Sequence, residues 1–272
     1  MSMQRGGKLN RLQHLLPDGL VVDASWLEAQ GYSRSLRGKY LTQGWLERPA
    51  RGVYRRPGGG LQWQQVIISL QTLLGYPIIV GGRTALELHG FSHYLRSHGP
   101  SEIHLYGDAP PPGWLAKLAL DTRFVFHNAK RLFKEEPIAI TKGMSADSTH
   151  GSFIQRPWGH WNWPLTLSTP ERAILELLDE VPNRETFHQA DVLMEGLRTL
   201  SPRRLQKLLL ECRSVKVKRL FFWFAERHNH AWLKRIDRDP IDLGRGKRML
   251  VRGGKLDPTY LITVPRDFDG GG

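Results

Sequence analysis

Arg34, Ser35, Gly38, Lys39 and Thr42 follow one another at alternating one- and three-residue steps within "RSLRGKYLTQ". On a helix turning 100° per residue they share one side, Leu36, Tyr40 and Leu41 take the other, and Arg37 falls near the apolar edge. A guanidinium, an ammonium and hydroxyls set out this way are suited to the phosphate oxygens and base edges of a DNA duplex. Gly38 would let a groove wall approach the backbone closely. Ser33 stands just before, and Arg51, Arg55 and Arg56 follow in "ERPARGVYRR", where contacts to phosphates would position the chain without reading sequence.

Such a face needs elements to hold it. Leu9, Leu12, Leu15 and Leu16 keep helical spacing up to Pro17-Asp18-Gly19, which predicts a first helix ending there. Asp23 is placed to cap a second, with Trp26 and Leu27 buried and Gly31 stopping it. Ser33 caps a third, which Gly44 ends. Helix, glycine turn, helix is helix-turn-helix spacing. The alternation around Pro49-Ala50-Arg51-Gly52 predicts a β-hairpin, hence a wing. Trp26 and Trp45 are expected in the core, because Leu27 and Leu46 continue the apolar pattern.

Charge is distributed unevenly over the 272 residues, whose net formal charge is +13. Residues 1–60 carry ten Lys and Arg against four Asp and Glu, residues 61–199 twelve against fourteen, and residues 200–272 seventeen against eight. Two basic ends around a near-neutral centre suggest two surfaces that meet polyanions. The second gathers Arg245, Lys247, Arg248, Arg252 and Lys255 in a segment read as hairpin strands with glycine turns. The lone Cys212 rules out an internal disulfide and a cysteine-based zinc site. No secretory segment follows Met1 and no apolar run reaches about eighteen residues, so the expected setting is cytoplasmic, with no membrane span.

Other candidates carry less. Gly81-Gly82 before a helix could cradle phosphate, but no P-loop pattern follows, so a tight turn into a buried helix is expected. Trp158, Trp161 and Trp163 could stack bases, though flanking prolines and few basic neighbours favour packing. His228 and His230 are read as a solvated helix end. Asp237, Asp239 and Asp242 lie among arginines and are read as salt-bridged. A carboxylate-and-lysine nuclease motif of the Glu-x-Lys kind is absent. Catalytic residues, metal ligands and cofactors are therefore expected to be none. Ser168 and Glu171 have capping-box spacing ahead of the stripe Ala173, Ile174, Leu177 and Leu178, while "SEIHLYG", "TRFVFHNA" and "PIAITKG" read as strands. The fold expected is α+β, with a winged helix-turn-helix domain over residues 1–57. A mixed α/β domain follows over 61–268, basic from 200.

The stretches "GYSRSLRGKYLTQGWLERPARGVYRRPG", "VGGRTALELHGFSHYL", "LSTPERAILELLDEVP" and "VKRLFFWFAERHNHAWLKRIDRDPIDLGRGKRMLVRGGKLDPTYLITVP" span almost the whole chain. In their order and spacing the chain resembles the AbiEi family, the antitoxin half of abortive-infection toxin-antitoxin pairs classed as type IV. The resemblance implies an autorepressor that binds repeats in double-stranded DNA of its own promoter. It also implies an antitoxin that counters a nucleotidyltransferase toxin without a stable complex. The family's DNA-contacting helix matches Ser33 to Gln43 and its wing Glu47 to Arg56; no catalytic residue is carried over. The rival readings are a winged-helix protein-interaction adaptor and a metal-dependent nuclease.

Overall fold

The computed structural model describes residues 3–91, 101–134 and 151–268. The first helix, α1 (Met3–Leu15), buries Leu12 and ends before Pro17. A short strand β1 (Val21–Asp23) leads into α2 (Ala24–Ala29), where Asp23 accepts the Trp26 N–H at 2.8 Å. Gly31, at φ +86°, ends α2 in the left-handed conformation that glycine enters without a Cβ clash. Two residues on, Ser33 accepts the Leu36 N–H at 3.3 Å and starts α3 (Arg34–Thr42). A hairpin follows, β2 (Glu47–Ala50) and β3 (Val53–Arg55), turning at Arg51-Gly52.

The predicted helix–turn–helix–hairpin order is thus present, with one addition: β1 pairs antiparallel with β3, giving the sheet order β1-β3-β2. Periodicity could not mark a strand of three residues between two helices. Its pairing depends on Tyr54 and Val53 arriving opposite Val22 and Asp23.

Helix α4 (Trp63–Thr72) is capped by reciprocal hydrogen bonds of Gln62 and Gln65 and buries Val66, Ile67, Ile68 and Leu70. Ser69 on its inner face donates to the Gln65 carbonyl at 2.6 Å and accepts the Val21 N–H at 2.8 Å. The hydrophobic core runs on without a break from the N-terminal elements into the rest of the chain.

There, β4 (Ile78–Val80), α5 (Gly82–Leu88), β5 (Glu102–Gly107), β6 (Arg123–Asn128), β7 (Phe153–Trp158) and β8 (Trp163–Ser168) build a five-stranded mixed sheet of order β6-β5-β4-β8-β7. β4 and β8 run parallel but share only the pair Val80–Leu167. Gln71, almost fully buried, bridges them instead. Its amide donates to the carbonyls of Ile78 (3.0 Å) and Thr166 (2.9 Å) and accepts the Thr166 N–H at 2.9 Å, so it supplies partners to backbone groups that the short ladder does not pair.

Helix α6 (Pro170–Glu180) lies at the centre, contacted by α5, α7 (Phe187–Gly196), α8 (Pro202–Glu211) and α9 (Val215–Arg227). It is buried over more than the expected stripe, because Glu171, Arg172 and Glu176 are enclosed as well. Its N-cap is Thr169, not Ser168; Ser168 ends β8 and sends its hydroxyl to Glu176 at 2.8 Å. The chain is therefore α+β. The hairpin expected of the last segment is present only in part: β9 (Lys255–Leu256) and β10 (Thr263–Val264) pair antiparallel, and most of the rest is irregular. The stretch "PIAITKG" lies outside the described residues.

Candidate nucleic-acid interface

Helix α3 exposes Arg34, Ser35, Gly38, Lys39 and Thr42 together, as 100° spacing requires, with Ser33 exposed at its start. The Thr42 hydroxyl donates to the Gly38 carbonyl at 3.1 Å. A Cβ added at Gly38 would meet nothing, so this face is open to the backbone. On the hairpin, Arg48 and Arg51 are exposed. Among the described residues the side chains of Arg34, Lys39, Arg48 and Arg51 have neither an ion-pair nor a hydrogen-bond partner. Sequence reasoning passed over Arg48, although it stands in the same predicted wing hairpin as Arg51.

Three arginines expected on this surface are instead part of the scaffold. Arg37 is 4% exposed; it donates to Glu28 at 2.7 Å and to the Tyr32 carbonyl at 2.8 Å, and lies over the Tyr54 ring at 5.6 Å. It joins α2, the glycine turn, α3 and β3. Arg55 pairs with Glu47 at 2.8 Å across the hairpin and reaches the Gly58 carbonyl at 3.0 Å. Arg56 pairs with Asp18 at 3.0 Å and donates to the Gln13 carbonyl at the end of α1 at 3.3 Å. The physical reason is shared: a long cationic side chain that can reach both a carboxylate and a backbone carbonyl is held in place by both. Trp26 packs against the core, whereas Trp45, held after Gly44 (φ +72°), is 45% exposed and not buried as expected.

The Arg37→Ala variant is expected to lose about 2 kcal/mol of stability, the scale of charge-assisted hydrogen bonds, while keeping the same order of preference among DNA sequences. Denaturant unfolding and a binding series on two duplexes would check both halves.

At the other end Arg245, Lys247, Arg248, Arg252 and Lys255 are all exposed, around Met249 at 70%. Arg219 fixes this irregular segment from beneath. Its buried guanidinium donates to the carbonyls of Leu243 (2.7 Å), Gly246 (2.8 Å) and Leu261 (3.3 Å), and burial followed by the nearby Arg248 lowers its pKa. Leu261 takes φ +52° there, and its carbonyl also accepts the Arg248 N–H at 2.8 Å.

The other candidates resolve as structure. The Gly82 N–H donates to the buried Glu176 carboxylate at 2.9 Å, so the protein's own anion fills the place a phosphate would take. His228 donates to the Asp191 carboxylate at 2.7 Å, and His230, read as solvated, is buried against the Met194 carbonyl at 2.7 Å. No group of three metal-ligating side chains occurs among the described residues. A cluster that sequence reasoning missed runs from Glu180 to His127 (3.1 Å) to His104 (3.0 Å), assembled from α6, β6 and β5. Burial, reinforced by His127, pushes the His104 pKa down to about 4.

That depression makes His104 a proton-linked stabiliser. The folded protein holds it neutral, so its contribution is complete above pH 6.5, the unfolded value, and is lost as pH falls toward 4. The gap corresponds to about 3 kcal/mol. Stability measured by denaturant between pH 7 and 4 should fall by this order, and the fall should shrink in His104→Asn.

No described helix is long and apolar enough to cross a membrane. In fold the chain is similar to the RV2827C protein from Mycobacterium tuberculosis, with a TM-score of 0.54 at 14% identity over 93% of this chain and 88% of that one. No curated protein matches it. Residues 5–97 match the family described as "Transcriptional regulator, AbiEi antitoxin N-terminal domain". Residues 100–265 match "Transcriptional regulator, AbiEi antitoxin, Type IV TA system". With both family profiles matched in order along nearly its whole length, the chain belongs to the AbiEi family of type IV toxin-antitoxin transcriptional regulators.

Proposed function

We propose that this antitoxin regulator represses its own operon by binding repeats in the promoter DNA, with α1 to β3 acting as a winged helix-turn-helix. In this reading residues 1–57 form the DNA-reading domain and residues 61–268 the antitoxin domain. The reader is α3, through Ser33, Arg34, Ser35, Lys39 and Thr42; Arg51 and Arg48 on the hairpin hold phosphates. The observation that carries it is the contrast among the arginines. Arg37, Arg55 and Arg56 are committed to internal partners, while Arg34, Lys39, Arg48 and Arg51 are exposed with none among the described residues. Exposed cations kept clear of carboxylates are free to displace counterions from DNA.

The chain acts by binding, in the cytoplasm and without a cofactor, and counters a nucleotidyltransferase toxin without forming a stable complex with it. The test of the DNA reading is a mobility-shift series in rising salt on the DNA upstream of the reading frame, beside a scrambled duplex. If the four free cations each neutralise one phosphate, log affinity falls against log salt with a slope of about −3 to −4. A salt-insensitive interaction, or no preference for the upstream DNA, would instead favour a protein-interaction adaptor.

The basic C-terminal surface has a role in repression or in toxin rescue. Neutralising Lys247, Arg248, Arg252 and Lys255 together is expected to impair at least one of the two in cells carrying the operon. Full repression together with full rescue would remove that role.

A further inference from the structure

The β7–β8 hairpin carries Trp158, His160, Trp161 and Trp163 within six residues. Its tip forms one wall of a cavity of about 390 Å³ that faces the base of the β2–β3 hairpin and the start of α4. Small-molecule sites typically span ~300–1,000 Å³. The wall is ordered by the sheet: Trp158 pairs with Trp163 in the ladder, and their rings stack at 6.3 Å and 23°. Beyond them Gly159 (φ +73°) and Asn162 (φ +50°) close the turn, and the Asn162 N–H donates to the Gly159 carbonyl at 3.2 Å. Trp161 is held out at the tip with 70% of its surface exposed.

The facing wall is of the opposite character. Gln65 accepts the Gln62 N–H through Oε1 at 2.8 Å, and its amide nitrogen lies against Gly19. Gly58, Gly59 and Gly60 would place an added Cβ in open space, so bare peptide groups border the cavity there. The charged groups at its edge are already matched, Arg55 with Glu47 and Asp18 with Arg56. An isolated phosphate would therefore meet aromatic surface and no uncommitted arginine. An aliphatic ligand would leave the amide wall without partners. A flat heteroaromatic ring uses both walls, one face on indole and its edge on amides and peptide groups.

We propose that this cavity binds a nucleobase, supplied by a free nucleotide or by an unpaired strand, with Trp161 as the stacking surface. The site is separate in composition from the α3 surface, and the proposal does not depend on promoter binding.

The experiment uses the full chain and two probes: a fluorescein-labelled deoxythymidine dodecamer followed by anisotropy, and the four ribonucleoside monophosphates followed by saturation-transfer NMR. Binding of at least one probe is expected. Trp161→Ala should weaken it about tenfold or more, the scale of one stacked base, and Trp161→Phe should recover most of it. Because Trp161 is exposed, the unfolding midpoint of both variants should match the parent protein. Binding of the strand alone assigns an unpaired strand; binding of a monophosphate assigns a free nucleotide. The proposal is overturned if neither probe binds at millimolar concentration, or if Trp161→Ala binds as well as the parent. Strand binding lost only in an Arg34→Ala, Lys39→Ala variant would equally overturn it, by moving the contact to α3.

Discussion

The Arg34→Ala, Lys39→Ala double variant is expected to lose its preference for the upstream DNA, at a cost of about 2–6 kcal/mol if each side chain makes one good base contact. That is at least ~30-fold in affinity. The slope of log affinity against log salt should also become shallower by about 2, one for each cation removed. Both side chains are exposed and have no partner among the described residues, so the fold should not register their loss. An unchanged unfolding midpoint would separate this effect from destabilisation.

Gly38 supplies the companion measurement. Its Cβ position is open and it lies within α3, so Gly38→Ala should stabilise the protein by about 0.5–1 kcal/mol through helix propensity. If α3 lies in a groove at that point, the same methyl weakens binding. A more stable protein that binds DNA less well is the expected combination. If the double variant keeps full affinity and slope, α3 is not the reader.

The largest expected effect on stability is at Glu176. Its carboxylate, fully enclosed in α6, accepts from Arg172 at 2.8 Å, from the Gly82 N–H at 2.9 Å and from the Ser168 hydroxyl at 2.8 Å. Arg172 is itself buried, its guanidinium 4.2 Å from the Phe133 ring centre and 4.6 Å from that of Phe153. Glu176→Ala leaves that cation without its anion and two donors without an acceptor. The expected cost is about 3–5 kcal/mol, a large share of the ~5–15 kcal/mol that holds a typical domain folded.

Replacing both partners, Arg172→Met with Glu176→Leu, should cost less than Glu176→Ala alone, because no isolated charge remains. Denaturant unfolding of the three proteins gives the order directly. A Glu176→Ala variant within about 1 kcal/mol of the parent would show that the network is not a stability element. The same network explains "VGGR": an added Cβ at Gly81 would run into Glu176 and the Tyr106 ring. The glycine pair thus serves close packing, not phosphate binding.

Local signals in the sequence were enough to place most elements. Asp23, Ser33 and Pro170 start helices and Gly31, Gly44 and Gly90 end them, because caps and left-handed glycines act within a few residues of themselves. The open face of α3 followed from helical spacing alone. What local pattern could not supply was the partner of each polar group. Arg37 belongs to the outward set by charge and to the interior by contact, and only the approach of Glu28, Tyr32 and Tyr54 decides between them.

The same division holds for the whole chain. Sequence by itself determined the α+β order of elements, the basic ends, the exposed α3 residues and the family, because periodicity, capping and charge are properties of neighbouring residues. Tertiary structure decided that Arg55 and Arg56 are braces, that β1 completes a sheet, that Trp161 stands exposed over a cavity, and that Glu180, His127 and His104 meet. Apart from the Arg55–Glu47 pair, which spans one hairpin, these depend on residues far apart in the chain being brought within hydrogen-bonding or packing distance, which no local pattern encodes.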